Sequence, residues 1–423
     1  MTSNKEYQEA YVWIWLPHQT KPVVAGKLMP DGEGMAFTYG KSYLKRPTAI
    51  SIHEKELPLR AGEQPLLNGL NIPGCIRDGA PDAWGRRVII NRKLGANGKN
   101  MDSAQLGELT YLLESGSDRI GALDFQASAT EYVPRSSLNA TLEELMESAK
   151  RVEQGIPLTQ ELDQALLHGS SIGGARPKAL IEDHDKKFIA KFSTSTDLYN
   201  IVKAEFIAMR LAALVGLNVA PVYLKQALGK DVLLIERFDR IKSKYGWERK
   251  SMISALTLFK LDELMARYAS YQDLAEIIRH SFVNASVTLK ELYSRLVFNI
   301  LSGNTDDHAR NHSAFWDGKM LSLSPAYDIC PQSRAGNEAS QAMLIVGENR
   351  MSRLSVCLEA AHNFQLQQES ALEIMKHQID VIKNNWGSVC KEAEMNETDR
   401  ALLWQRQFLN PYAFESLENI LKI

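Results

Sequence analysis

The sequence predicts an α+β, two-lobed fold, and three observations carry that expectation. Strand-forming segments cluster between residues 10 and 55 and again between 179 and 238. From about residue 250 onward the pattern is mostly helical. A short polar stretch, IERFDR (235–240), separates the two regimes in the way a hinge separates lobes. Clefts between such lobes commonly hold nucleotides.

A chain of 423 residues is too long for one small core and predicts two or three packed units. Hydrophobic residues make up 44% and charged residues 24%, which is ordinary for a globular protein. The formal net charge of -2 gives no basic surplus of the kind nucleic-acid binders show. The four cysteines, Cys75, Cys330, Cys357 and Cys390, are far apart and form no CxxC pair. Neither a zinc site nor a disulfide framework is expected, and a reducing cytosol fits. The polar start MTSNKEYQEA lacks the apolar core of a signal peptide. No apolar run approaches the roughly 20 residues needed to span a membrane. The expected location is cytoplasmic.

Taken in order, Ala10 to Leu16 (AYVWIWL) favours a pleated surface, and DGEG (31–34) reads as a turn between strands. Helices and loops fill 75–125, with Trp84 inside DGAPDAWGRR, and LEELMESAKRVE (142–153) reads as a helix. A Gly-rich polar segment, GSSIGGARPK (169–178), precedes two strands, ALIEDH and KFIAKFS. Val202, Phe206, Met209 and Ala213 recur at helical spacing, and Gly216 stands where a helix C-cap is expected. PVYLKQAL and DVLLIERF follow as strands around the turn LGKD. Thr288 and Glu291 form a T-x-x-E capping box before LYSRLVFNIL. HSAFW and KMLSLS flank Asp317-Gly318, a two-residue hairpin signal.

The segment richest in chemistry is NTDDHARNHSAFWDGKMLSLSPAYD (304–328). It holds an Asp, an Asn five residues on, and a second Asp beyond the hairpin. Phosphoryl transfer needs a carboxylate near the attacking hydroxyl and oxygen ligands for Mg²⁺ on the phosphates. Asp306 is the candidate base, with the adjacent Asp307 as its rival; the five-residue spacing to Asn311 favours Asp306. Asn311 and Asp328 are the candidate Mg²⁺ ligands, since Mg²⁺ takes few protein carboxylates beside waters and phosphate oxygens. By itself D-x-x-x-x-N is common, and a solvated capped loop would read the same.

Lys191, on the KFIAK strand, is placed to reach nucleotide phosphates, with Glu205 on the next helix as its partner; an exposed Lys and an exposed Glu are the plain alternative. A glutamate close to an apolar face is costly unless paired. At the hinge, backbone groups of Glu236 and Phe238 are candidates to bond an adenine ring, and Asp239 to meet the ribose. Gly173 and Gly174 permit close approach of N–H groups to phosphate, although the spacing is neither Walker nor G-x-G-x-x-G. Ser170 and Ser171 beside them are candidate phosphate acceptors. His308 and His312, at i and i+4, match a zinc spacing but fall in a loop without a third ligand, and read as structural.

Together these residues resemble the HipA family, the kinase toxins of HipBA-type toxin–antitoxin pairs. The resemblance runs through DGAPDAWGRR, SDRIGALDF, SSIGGARPK, KFIAKF, IERFDR, NTDDHARN and LSPAYDI, over about residues 10 to 410. It implies a protein-kinase-like fold: a β-rich N-terminal subdomain over 1–125, the rest of the nucleotide lobe over 126–245 and an all-α C-lobe over 246–423. It implies ATP and Mg²⁺ as cofactors, Asp306 as base, Asn311 and Asp328 as metal ligands, Lys191 on the phosphates, and Glu236 and Phe238 as hinge contacts. It implies autophosphorylation at Ser171 that expels the Gly-rich loop, with Ser170 a second candidate. The Arg-Pro of GGARPK departs from the founding toxin. A HipB-like helix-turn-helix antitoxin is the implied partner, with DNA reached only through it. An aminoacyl-tRNA synthetase is the implied protein substrate. Two other readings stay open: a small-molecule phosphotransferase, which shares the metal logic, and a non-catalytic module that binds a repressor.

Overall fold

The computed structural model describes residues 7–67, 69–94, 106–135, 140–159, 162, 166, 176–194, 197–334 and 336–421. The fold is α+β, and the chain divides into two compact units, each made of discontinuous segments. The first contains residues 1–194, 225–253 and 316–319; the second contains 195–224, 254–315 and 320–423.

The first unit opens on a five-stranded sheet ordered β4-β3-β2-β1-β5. Its strands are β1 (Ala10–Ile14), β2 (Val23–Asp31), β3 (Gly34–Tyr39), β4 (Glu63–Gln64) and β5 (Leu123–Gln126). β1, β2 and β3 form an antiparallel meander, and the expected turn falls where Asp31 pairs with Gly34. Ala10, Val12, Ile14, Leu28 and Phe37 are completely buried.

A four-stranded sheet is ordered β6-β7-β9-β8, with β6 at Lys178–Asp183, β7 at Lys186–Phe192, β8 at Val222–Ala227 and β9 at Lys230–Glu236. Two helices, Ala83–Leu94 and Leu142–Gln154, share a core with it: Trp84, Val88, Leu145, Met146 and Val152 meet Ala190, Phe192, Val232 and Leu234. Trp84 is buried, and its indole N–H donates to the Lys178 carbonyl at 3.1 Å, so the large ring enters the core without an orphan donor. The second helix starts on a capping box, Thr141 with Glu144, that sequence reading overlooked. A ribbon, β10 (Arg240–Ser243) with β11 (Gly246–Arg249), follows. β12 (Ser251–Ser254) then leads into the second unit.

The second unit is helical around Tyr271–Ser281, Ala285–Ser302 and Gln368–Glu392. The helix Ile201–Leu214 belongs to this unit. The reason is local: Lys203 bonds the Glu394 carbonyl, Arg210 bonds Glu392, and His377 bonds the Val215 carbonyl.

Two local expectations change. The capping box at Thr288 and Glu291 does not form, because the helix begins three residues earlier, at Ala285. The Thr288 N–H is already spent on the Asn284 carbonyl, and Glu291 pairs with Arg295 instead. The hairpin after the D-x-x-x-x-N segment is looser than a two-residue turn. Its strands are β13 (Ser313–Trp316) and β14 (Leu321–Leu323), with Asp317 capping Lys319 N–H at 2.8 Å inside the loop.

Candidate active site

The D-x-x-x-x-N segment follows the Ala285–Ser302 helix, whose end is fixed by Gly303 in a left-handed conformation, φ +71°. A Cβ there would lie 2.7 Å from the Gln407 carbonyl oxygen, so both the angle and the space demand glycine. The loop then closes on itself. Asn304 bonds Asn299 through backbone (2.8 Å) and side chain (3.0 Å), and His308 N–H donates to the Asp306 carbonyl at 2.9 Å. A 3₁₀ turn, Ala309–Asn311, brings Asn311 back so that its Nδ2 donates to the same Asp306 carbonyl at 3.1 Å. The amide nitrogen is thereby committed, and Oδ1 is the atom left to act as a cation ligand.

The two neighbouring aspartates part company. Asp306 is exposed, whereas Asp307 is 2% exposed. Asp307 Oδ2 accepts from the Tyr271 hydroxyl and lies 3.0 Å from His312 Nε2. Burial alone would raise the Asp307 carboxyl, but His312 and the Tyr271 hydrogen bond hold it below the usual range. Asp306 goes the other way. Partial desolvation raises it, His308 opposes this, and repulsion from Asp328 and Asp307 adds to the rise. A pair of carboxylates that disfavour each other's charge is a place where a divalent cation is stabilised.

Asp328 is half-buried and sits at φ +60°, a left-handed conformation that Asp tolerates better than most side chains. The chain around it is held on both sides. Ala326 N–H donates to Asn218 carbonyl at 2.7 Å, Tyr327 hydroxyl donates to Arg310 carbonyl at 2.7 Å, and Gln332 N–H donates to Gly303 carbonyl at 2.9 Å. Asp306, Asn311 and Asp328 therefore belong to one tied assembly within the second unit. The donor pair of Asn311 and Asp328, one amide oxygen and one carboxylate, suits Mg²⁺ bound together with a nucleotide. Among the described residues no group of three or more His, Cys, Asp or Glu is arranged to hold a metal ion. His312 is instead committed to Asp307.

The remaining candidates lie elsewhere. Lys191 is half-buried on β7, opposite Lys178 on one side and Leu233 on the other. Glu205 is 4% exposed on the Ile201–Leu214 helix of the second unit. Glu236 ends β9 and pairs with Lys186 Nζ at 2.7 Å. Arg237 N–H donates to the Lys187 carbonyl at 2.8 Å, which by strand alternation turns the backbone groups of Glu236 away from β7; Phe238 lies in a bend beyond the strand end. Ser170, Ser171, Gly173 and Gly174 lie outside the described residues.

Asp239 corrects the sequence reading. It is 2% exposed, and both its oxygens are occupied inside the first unit rather than presented to a ribose. Arg237 binds it at 2.9 and 2.8 Å, Arg240 at 2.8 Å, and the Gly121 N–H at 2.8 Å. Arg237 and Arg240 also reach Asp118, at 3.1 and 2.9 Å. The motifs IERFDR and SDRIG, far apart in sequence, are thus two halves of one buried ion network. Sequence reading missed this partnership, as it missed Tyr271 and Tyr327. The only local hint was that both motifs place Asp and Arg side by side.

The chain matches known protein families along most of its length. Residues 18–126 match the HipA N-terminal domain and residues 170–386 match the HipA-like C-terminal domain. The chain belongs to the HipA family. The serine/threonine-protein kinase toxin HipA of Shewanella oneidensis is 26% identical over 230 residues, which cover 48% of this chain and 53% of that protein. Y4mE of Sinorhizobium fredii is 30% identical over 150 residues, a stretch covering 33% of each chain. The matched segments span between a third and about half of these two curated relatives. The fold matches the Shewanella oneidensis HipA solved with HipB and its operator DNA, with a TM-score of 0.68, 18% identity and 93% of each chain covered.

Proposed function

We propose that the chain is an ATP-dependent protein kinase that phosphorylates serine or threonine and acts as the toxin of a HipBA-type pair. The observation that carries this is the pairing of an exposed Asp306 with an Asn311 whose side chain is bonded back to the Asp306 carbonyl. Asp306 is assigned as the base that accepts the substrate hydroxyl proton as the hydroxyl oxygen attacks the γ-phosphorus and the bond from that phosphorus to the β,γ-bridging oxygen breaks, releasing ADP. Asn311 Oδ1 and the Asp328 carboxylate are assigned to hold Mg²⁺, which when bound neutralises charge on the phosphates. Lys191 is assigned to the phosphates, and the backbone of Glu236 and Phe238 to the adenine. Autophosphorylation at Ser171 or Ser170 is the proposed regulation.

The partner we propose is a HipB-like helix-turn-helix antitoxin through which the chain reaches DNA, and the substrate is an aminoacyl-tRNA synthetase. Membership in the HipA family supports both assignments.

The test is incubation of the purified chain with γ-labelled ATP and Mg²⁺, alone and with a panel of synthetases. Label should enter one synthetase and the chain itself, and Asp306→Gln should abolish both. In cells, expression without a partner should slow growth and Asp306→Gln should relieve it. A folded Gln variant as toxic as the parent would sink the kinase reading and favour a binding module. Label entering small acceptors and no protein would favour a small-molecule phosphotransferase.

A further inference from the structure

We infer that Asp307, His312 and Tyr271 form a buried clamp that fixes both ends of the catalytic loop, making Asp307 and His312 positioning residues for phosphoryl transfer. The inference rests on the kinase reading. Asp307 directly follows the assigned base Asp306, and His312 directly follows the assigned metal ligand Asn311. One contact of 3.0 Å, His312 Nε2 to Asp307 Oδ2, therefore closes the loop just outside its two functional residues.

The clamp is anchored from outside the loop. Tyr271 begins the Tyr271–Ser281 helix, where Ser270 caps Asp273 N–H at 2.9 Å, and its own N–H donates to the Leu344 carbonyl at 2.8 Å. Its hydroxyl donates to the same Oδ2 that His312 reaches. Its ring meets the His312 ring edge-on, with centroids 5.4 Å apart and planes at 78°. The His312 carbonyl accepts from Ala255 N–H at 2.8 Å, so the far end of the loop is held through backbone as well. Tyr271, Asp307 and His312 are 0%, 2% and 3% exposed.

Two donors on one carboxylate oxygen fix the Asp307 side chain from two directions. With Asp307 turned inward, Asp306 is left on the solvent side. The arrangement is costly as a source of stability: a buried carboxylate must be desolvated, and His312 Nδ1 is buried without a hydrogen-bond partner among the described residues. Apolar packing would hold a merely structural loop with less penalty. None of the three side chains is assigned to touch the nucleotide, so their effect is on placement. A misplacement of about 1 Å can cost on the order of 10²-fold in rate.

The experiment measures kcat and the KM for ATP at saturating Mg²⁺ for parent, His312→Leu, His312→Gln and Tyr271→Phe, alongside circular dichroism and thermal unfolding. His312→Gln keeps an N–H donor near the Nε2 position. The expected result is a kcat loss of roughly 10- to 100-fold in His312→Leu with KM little changed, and recovery of about tenfold in His312→Gln. Tyr271→Phe, which keeps the ring and removes one donor, should lose kcat by several-fold and serves where His312→Leu does not fold. Folded variants with kcat near the parent would overturn the clamp and leave the kinase reading intact. Loss in His312→Leu that follows its unfolded fraction, with no recovery in His312→Gln, would also overturn it. A folded parent that transfers no phosphate would overturn the kinase reading itself, and the positioning role with it.

Discussion

The Tyr327 hydroxyl donates to the Arg310 carbonyl at 2.7 Å and so ties the residue before Asp328 to the residue before Asn311. The bond links the backbone stretches that carry the two assigned metal ligands, which lie 17 positions apart in sequence. Tyr327→Phe removes it while leaving the ring. A neutral hydrogen bond contributes about 0.5–1.5 kcal/mol, so Mg²⁺-dependent ATP affinity should fall several-fold with the fold retained. Isothermal titration with ATP at fixed Mg²⁺ measures it, and unchanged affinity would detach Tyr327 from the site.

Asp328→Ala should remove Mg²⁺-dependent ATP binding, whereas Asp306→Asn should leave it largely in place. Asp328 adds to the rise of the Asp306 carboxyl, but only Asp328 is assigned as a ligand. Asp306→Asn should instead lower phosphoryl transfer by about 10² to 10⁴-fold, the usual contribution of a general base. Equal loss of binding in both variants would show that Asp306 is a ligand too.

Asp239→Asn should act on stability rather than on nucleotide affinity. Burial would raise this carboxyl, but the guanidiniums of Arg237 and Arg240 outweigh it and hold it at about 2, against an ordinary value of 3.8. A depressed folded value stabilises the protein above the ordinary value, and that stability is lost as pH falls through about 2. Breaking such a buried pair costs about 3–5 kcal/mol at neutral pH. Urea unfolding of parent and variant should differ by that much near pH 7, with the gap narrowing between about pH 5 and pH 2. A gap independent of pH would contradict the ion network.

Gly303→Ala should destabilise the second unit by more than about 1 kcal/mol, because the new Cβ meets both a left-handed backbone and the Gln407 carbonyl at 2.7 Å. Thermal unfolding measures this. Because the same glycine accepts the Gln332 N–H at 2.9 Å, ATP affinity should weaken in the same variant.

The sequence alone determined what depends on neighbours along the chain. Strand-favouring residues and helical spacing pointed to strands near 10–16, 179–193 and 221–238 and to a helix near 200–215, because local backbone preference and one buried face set those patterns. The spacing of Asp306, Asn311 and Asp328 was legible because one loop and one hairpin connect them. What depends on partners distant in sequence was decided only by tertiary structure. Asp306 and Asp307 are the same residue type side by side, and burial against Tyr271 and His312 is what separates them. Asp239 reads as a surface acid beside a hinge until Asp118 and Gly121 close over it. A charged side chain carries no mark of its burial in the sequence; the desolvation cost that decides its role is met by groups that only folding brings near.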